Sequence, residues 1–227
     1  MKKLVFDYGH GGRDGGAILS SRKESNDVLS IGREIATDVR RHGVEVDETR
    51  TMDATVSLKA RSSFENRKDY DYFISFHRNA FNKSAHGVET FTYPRSSAKA
   101  KELANKVQSS LVGVGFTNRK TKEANFHVLR ETKSAAILIE MGFIDNTADN
   151  KIFDNKRSEI IEGITKAILS QLGIAYMDKV VAIKPSVKST TGTMYRVVTG
   201  SFADRANAEQ RIVDLKKAGF ESFIAIK

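Results

Sequence analysis

Three short apolar runs each end in a side chain that can do chemistry. Val5-Phe6-Asp7-Tyr8-Gly9-His10-Gly11-Gly12 and Phe73-Ile74-Ser75-Phe76-His77-Arg78-Asn79-Ala80 each deliver a histidine. Ala136-Ile137-Leu138-Ile139-Glu140-Met141-Gly142-Phe143 delivers a glutamate in the same way. Neutral imidazole is a common metal ligand. Two imidazoles and a carboxylate can hold a zinc ion with one position open. A second carboxylate beside it, Glu140, can act as a general base.

The third ligand is open on spacing. Glu24, between the first loop and the first helix, can swing back over the end of the first strand. Asp7, Asp14 and Glu34 compete with it on proximity alone.

All three runs read as buried strands, and ligand sites of open α/β sheets lie at the carboxyl ends of strands. Strands are expected over Lys3–Tyr8, Val44–Thr49, Tyr72–Phe76, Gly87–Tyr93, Phe126–Leu129 and Ala136–Glu140. Helices are expected over Asn26–His42, Ser57–Lys68, Ser97–Val112 and Ser158–Leu172, from apolar residues at helical spacing, with Gly43 and Gly173 as stops. The fold class is therefore α/β, a mixed twisted sheet flanked by helices.

The chain has 227 residues and no cysteine, which excludes disulfides, thiolate metal sites and a cysteine nucleophile. No apolar run approaches the ~20 residues of a membrane helix, so no membrane insertion is expected. The basic start Met1-Lys2-Lys3 meets Asp7 before an apolar run of roughly 7–15 residues can form, so no signal peptide is read. The net charge is +9. Residues 176–227 hold nine Lys/Arg and five Asp/Glu, net +4, leaving +5 for the rest. This spread excess favours an anionic partner, either nucleic acid or an anionic cell-wall polymer.

Residues 1–175 read as one catalytic domain and 176–193 as a Ser/Thr-rich linker. Residues 194–227 read as a small βαβ unit: strand Tyr195–Thr199, helix Asp204–Ala218 and strand Ser222–Ile226. That unit lacks the paired aromatic strand signature of RNA-binding modules, so no nucleic acid partner is expected.

Asp7-Tyr8-Gly9-His10-Gly11-Gly12 resembles the opening motif of zinc-dependent N-acetylmuramoyl-L-alanine amidases of the Amidase_3 type, with Tyr8 in place of the usual proline. Lys23-Glu24 with Val28-Leu29, Thr49-Arg50-Thr51 with Asp53, Ser57-Leu58 with Arg61, and Asn66 are similar to the next segments. Ser75-Phe76-His77-Arg78-Asn79-Ala80, Gly87-Val88-Glu89, Val128-Leu129-Arg130 and Leu138-Ile139-Glu140-Met141-Gly142-Phe143-Ile144-Asp145-Asn146 complete an ordered match over roughly residues 3–173. The resemblance implies one Zn2+ per chain, with His10, Glu24 and His77 as ligands and Glu140 as catalytic carboxylate. It implies hydrolysis of the amide between N-acetylmuramic acid and L-alanine in peptidoglycan. Arg78, Asn79 and His127 are candidate substrate contacts. His42 and His86 are read as structural and solvated.

Residues 195–220 resemble the first half of a SPOR module, a peptidoglycan binder. Either the half suffices, or two chains pair theirs in a homodimer. Together these readings imply a wall-lytic enzyme made in the cytoplasm and released through holin-type pores or by cell lysis. A phage or prophage endolysin is the first expectation and a sporulation or autolytic amidase the second. The rival from another class is an inactive wall- or nucleic-acid-binding protein.

Overall fold

The computed structural model describes residues 1–178, 200 and 202–224. The contacts divide the chain into two compact units, Met1–Lys179 and Val180–Lys227.

The first unit is built on a six-stranded sheet. Its strands are β1 (Lys3–Tyr8), β4 (Glu45–Glu48), β5 (Tyr72–Asn79), β6 (Val88–Thr92), β7 (Asn118–Glu123) and β8 (Ala135–Phe143). A two-stranded hairpin, β2 (Ile18–Leu19) with β3 (Arg22–Lys23), stands apart from it. The sheet order is β4-β1-β5-β8-β6-β7. β4, β1, β5 and β8 run parallel, β6 is antiparallel to β8, and β7 is parallel to β6, so the sheet is mixed.

Side chains alternate between the faces of a strand, and that alternation sorts the core from the site. Leu4, Phe6 and Tyr8 of β1, Tyr72, Ile74 and Phe76 of β5, and Ile137, Ile139 and Met141 of β8 join one large core. That face is covered by α1 (Glu24–Arg40), α3 (Ala98–Val114) and α6 (Arg157–Leu172). Val5, Phe73, Ala136 and Leu138 take the opposite face, in a smaller core with Val128 and Leu129. Along that second face, Asp7, Ser75, His77 and Glu140 follow at the carboxyl ends.

The mixed α/β class, the three strand ends and the main helices are as expected. α1 starts two residues earlier than periodicity suggests, which places Glu24 in its first turn. Phe126–Leu129 is not a strand. Its apolar pair sits on α4 (His127–Arg130), a helical turn that seals the smaller core with α2 (Leu58–Glu65). The strand next to β6 is instead β7, Asn-Arg-Lys-Thr-Lys-Glu, an edge strand with no apolar alternation to reveal it. A further helix, α5 (Thr147–Asn155), is capped by Asn146, whose side chain accepts from the amides of Ala148 and Asp149.

Tyr176 stacks on His42 with ring centroids 5.0 Å apart, and His42 Nε2 accepts from the Met177 amide at 3.0 Å. Residues just past Ala175 thus pack with the first unit. In the second unit the expected helix is present as α7 (Arg205–Lys217), capped by Asp204. The expected strand Tyr195–Thr199 lies outside the described residues. Of the expected strand Ser222–Ile226, residues 222–224 belong to no regular element and the rest lies outside the described residues.

Candidate metal and catalytic site

The parallel register of β1, β5 and β8 carries the two sheet-borne candidates to one place. His77 of β5 pairs directly with Glu140 of β8, and Tyr8 of β1 pairs with Phe76. His10 follows two residues after β1. Glu24 comes from the other direction, at the start of α1.

His10 Nε2 lies 3.2 Å from Glu24 Oε2, and His77 Nδ1 lies 2.9 Å from Glu24 Oε1. The two imidazoles are edge to face, 5.1 Å between centroids. One ligand atom from each of the three residues lies within 4.8 Å of the others. The competing carboxylates are engaged elsewhere. Asp7 is buried and accepts from Arg61 Nη1, Thr49 Oγ1 and Ser75 Oγ at 2.6, 2.7 and 2.8 Å. Glu34 pairs with Arg157 at 2.6 Å. Asp14 Oδ2 holds the far ring nitrogen of His10, Nδ1, at 2.8 Å. A carboxylate behind an imidazole orients the ring toward whatever its other nitrogen binds.

The backbone is shaped around these groups. His10 has a left-handed φ of 59°, unusual for a residue with a Cβ. Two buried arginines hold it there. Arg61 Nη2 donates to the His10 carbonyl at 2.7 Å and Arg50 Nη2 to the Gly9 carbonyl at 2.9 Å; both arginines also donate to the Tyr8 carbonyl. Nothing in the chain's periodicity marks these two arginines as parts of a site. A Cβ on Gly9 would lie 2.2 Å from His77 Cε1, and one on Gly16 would lie 2.5 Å from Glu24 Oε2. Both positions need glycine so that the His77 and Glu24 side chains can occupy that space.

The electrostatics fit a cation. Burial pushes Glu24 up, but its hydrogen bonds to His10 and His77 outweigh this and hold it below the usual carboxylate range. Burial pushes His10 down, and its contacts with Glu24 and Asp14 outweigh this and raise it. Glu140 is raised well above the usual carboxylate value, first by burial and then by the charges of Glu24 and Glu89. Its Oε2 is buried without a hydrogen-bond partner among the described residues. A buried orphan carboxylate oxygen is costly, and here it lines the same cleft as His10 and His77. That cleft has a volume of about 430 Å³. The donor set, the glycine cradle and the orphan oxygen all fit a bound divalent metal.

His127, at the start of α4, also lines this cleft, its Nε2 3.2 Å from Ser62 Oγ. Arg78 does not reach it. The residue after His77 falls on the opposite face of β5, and there the Arg78 guanidinium is fully buried. It lies 2.6 Å from Asp27, 2.7 Å from Asn150 and over the Phe153 ring. Arg78 is therefore a structural clamp between α1, α5 and the sheet, and not a substrate contact. Asn79 is likewise occupied: its Nδ2 donates to Glu89 Oε1 at 2.7 Å. Glu89, which pairs across β6 and β8 with Glu140, is a buried charge beside the site to which the sequence motifs assign no role.

Comparison with known proteins agrees with this geometry. The family model for N-acetylmuramoyl-L-alanine amidase matches residues 4–170, and that for the SPOR domain matches residues 164–225. The chain is 32% identical to a sporulation-specific N-acetylmuramoyl-L-alanine amidase of Bacillus subtilis, over 100% of this chain and 86% of the relative. It is 31% identical to an endolysin of Bacillus phage SPP1, over 87% of this chain and 76% of that one. Among solved structures, an N-acetylmuramoyl-L-alanine amidase from Clostridium difficile superposes with a TM-score of 0.72 at 36% identity, covering 76% of this chain and 97% of the other. With a family match over most of its length, this chain belongs to the N-acetylmuramoyl-L-alanine amidases and carries a SPOR domain toward its C-terminus.

Proposed function

We propose that the chain is a zinc-dependent peptidoglycan amidase with His10, Glu24 and His77 as metal ligands and Glu140 as the proton-transfer group. The observation that carries this is the convergence of the first three on one point of a cleft that Glu140 also lines. Two imidazole nitrogens and one carboxylate oxygen form a donor set that suits zinc and leaves room for water or substrate. Zinc bound there lowers the pKa of water to about 7 and polarises a carbonyl oxygen.

The chain's own residues do the rest. Glu140 Oε2, without a hydrogen-bond partner among the described residues, takes a proton from the water that attacks the lactyl carbonyl of muramic acid. It then returns that proton to the departing amine of L-alanine. Asp14 fixes the His10 ring, and Arg50 and Arg61 fix the backbone that carries it. His127 is assigned to the substrate side of the cleft. The peptide stem leaves the glycan with a new amino terminus.

The SPOR match over residues 164–225 supports wall binding by the C-terminal part of the chain; within it we take residues 176–193 as linker and 194–227 as the binding unit. The basic surplus supports attraction to anionic wall polymers. Similarity to both an endolysin and a sporulation amidase supports action on the wall after release from the cell. The alignment with the sporulation-specific relative runs over the whole chain, tail included, and favours mother-cell lysis over phage release.

Digestion of purified walls tests the reaction. New N-terminal alanine should appear without new reducing sugar, and the activity should vanish on chelation and return with zinc. Reducing ends in place of amino termini would overturn the reading. Active enzyme in the wall fraction of intact, growing cells would overturn release by lysis.

A further inference from the structure

Among the described residues β7 is the outermost strand of the sheet and buries almost nothing, yet it brings two cations to one buried carboxylate. Arg119 Nε lies 3.2 Å from Glu89 Oε2, and Lys122 Nζ contacts the same oxygen. The other Glu89 oxygen is taken by Asn79. Two cations against one carboxylate leave one positive charge unbalanced. The Nη atoms of Arg119 have no hydrogen-bond partner among the described residues, and about a third of its side chain is exposed. The guanidinium is not loose: it lies over the Phe143 ring, 4.9 Å from the centroid. A guanidinium held by its Nε and by a ring, with its outer edge open, is set up to receive a carboxylate.

The cluster also stands at a useful distance from the chemistry. Glu140 pairs with Glu89, and β7 lies one strand beyond. Neighbouring strands are ~4.8 Å apart, so the cations sit about 10 Å from Glu140 along the sheet. An extended peptide covers ~3.3–3.6 Å per residue, so that span corresponds to about three residues.

We propose that Arg119 and Lys122 form a carboxylate-binding subsite for the stem peptide, beyond the scissile amide. The inference rests on the amidase reading above. The carboxylate comes either from a free carboxyl on the second stem residue or from the peptide's C-terminus. In both cases Glu89 holds the cations in place while their unbalanced charge faces the substrate. Arg119 and Lys122 then set specificity rather than chemistry.

The test uses the full-length, zinc-loaded protein and two pairs of soluble muropeptides. One pair differs only in carboxylate or amide on the second stem residue, the other only in carboxylate or amide at the C-terminus. The wild type should prefer the carboxylate member of one pair by about tenfold or more in kcat/KM, chiefly through KM, on the scale of one charge-assisted hydrogen bond. The pair that responds identifies the source. R119Q/K122Q should bring that preference close to one, and R119K should lose much of it, because an ammonium has neither the open outer edge nor the plane that lies over Phe143. Cleavage of all four substrates at equal efficiency by the wild type overturns the subsite and leaves the amidase reading standing. Failure to cleave any of them overturns the amidase reading and the subsite with it.

Discussion

His77 and Glu140 face each other directly across parallel strands, in register, on the same side of the sheet. The proposed ligand and the proposed proton carrier are therefore placed by one backbone pairing, not by two independent loops. Glu140→Gln keeps the size of the side chain and removes its basicity. Activity on walls should fall by at least ~10²-fold, the usual scale of general acid–base catalysis, with zinc content unchanged. His77→Ala should lose zinc and activity together. Metal analysis beside turnover separates the two roles; near-normal turnover in Glu140→Gln would assign the proton transfer to another group.

Gly9→Ala probes the space between the ends of β1 and β5. The added methyl would sit 2.2 Å from His77 Cε1, too close for either atom to stay in place. The imidazole has to move, while the hydrophobic core below is untouched. Zinc affinity should drop by about 10- to 100-fold, the range seen when the support of a metal ligand is disturbed, with little change in Tm of the metal-free protein. A competition titration with a chromophoric chelator reads this directly. Unchanged affinity would show that His77 is not a ligand.

Acid should destabilise the metal-free protein through Glu24. Its folded-state pKa lies below the ordinary value of 4.5, so the unfolded chain takes up the proton first. The stability it contributes is complete above that ordinary value and is lost as pH falls through the depressed folded value. His10 has the opposite sign: its raised pKa gives stability below 6.5 that fades as pH rises through the folded value. Urea unfolding of the chelated protein across this range, beside Glu24→Gln, tests both. The Gln variant should show a shallower acid-side slope than the wild type, the remainder coming from Asp47, Asp71 and Asp154, which are also held below their ordinary values, and equal slopes would remove Glu24 as a source.

Removal of the tail should separate catalysis from wall binding. A chain ending at Asp178 keeps the stacking of Tyr176 on His42 and the bond from Met177. It should cleave small soluble muropeptides at a rate similar to that of the full chain and sediment less with intact walls. A chain ending at Ala175 should fold but melt several degrees lower. If two tails pair, sedimentation should show a dimer for the full chain and a monomer for the shortened one. Equal wall binding by both chains would deny the tail a targeting role.

The central strands and large helices were legible because they bury apolar residues with a regular period. Leu4, Phe6 and Tyr8 alternate with Val5 and Asp7, and the same pattern in β5 and β8 points the catalytic candidates to one face. β7 was not legible because an edge strand of Arg, Lys and Thr buries too little to leave a pattern. α5 was missed because only Asp149 and Phe153 of its nine residues are buried. Val128 and Leu129 do not reveal their helical turn, because two adjacent apolar residues cannot distinguish it from a strand. Arg78 was misplaced for a different reason. Proximity in sequence to His77 suggested proximity in the site, whereas the period of two puts neighbours on opposite sides.

Among the described residues the outer edge of β7 pairs with no strand, and this has a cost for any engineered variant. An unpaired strand edge is a template on which another chain can add a strand, and basic side chains are a common guard against it. Arg119, Lys120 and Lys122 stand along that edge. The charges proposed to greet a stem peptide thus also keep copies of this protein from joining edge to edge, and neutralising them should lower solubility before it lowers thermal stability.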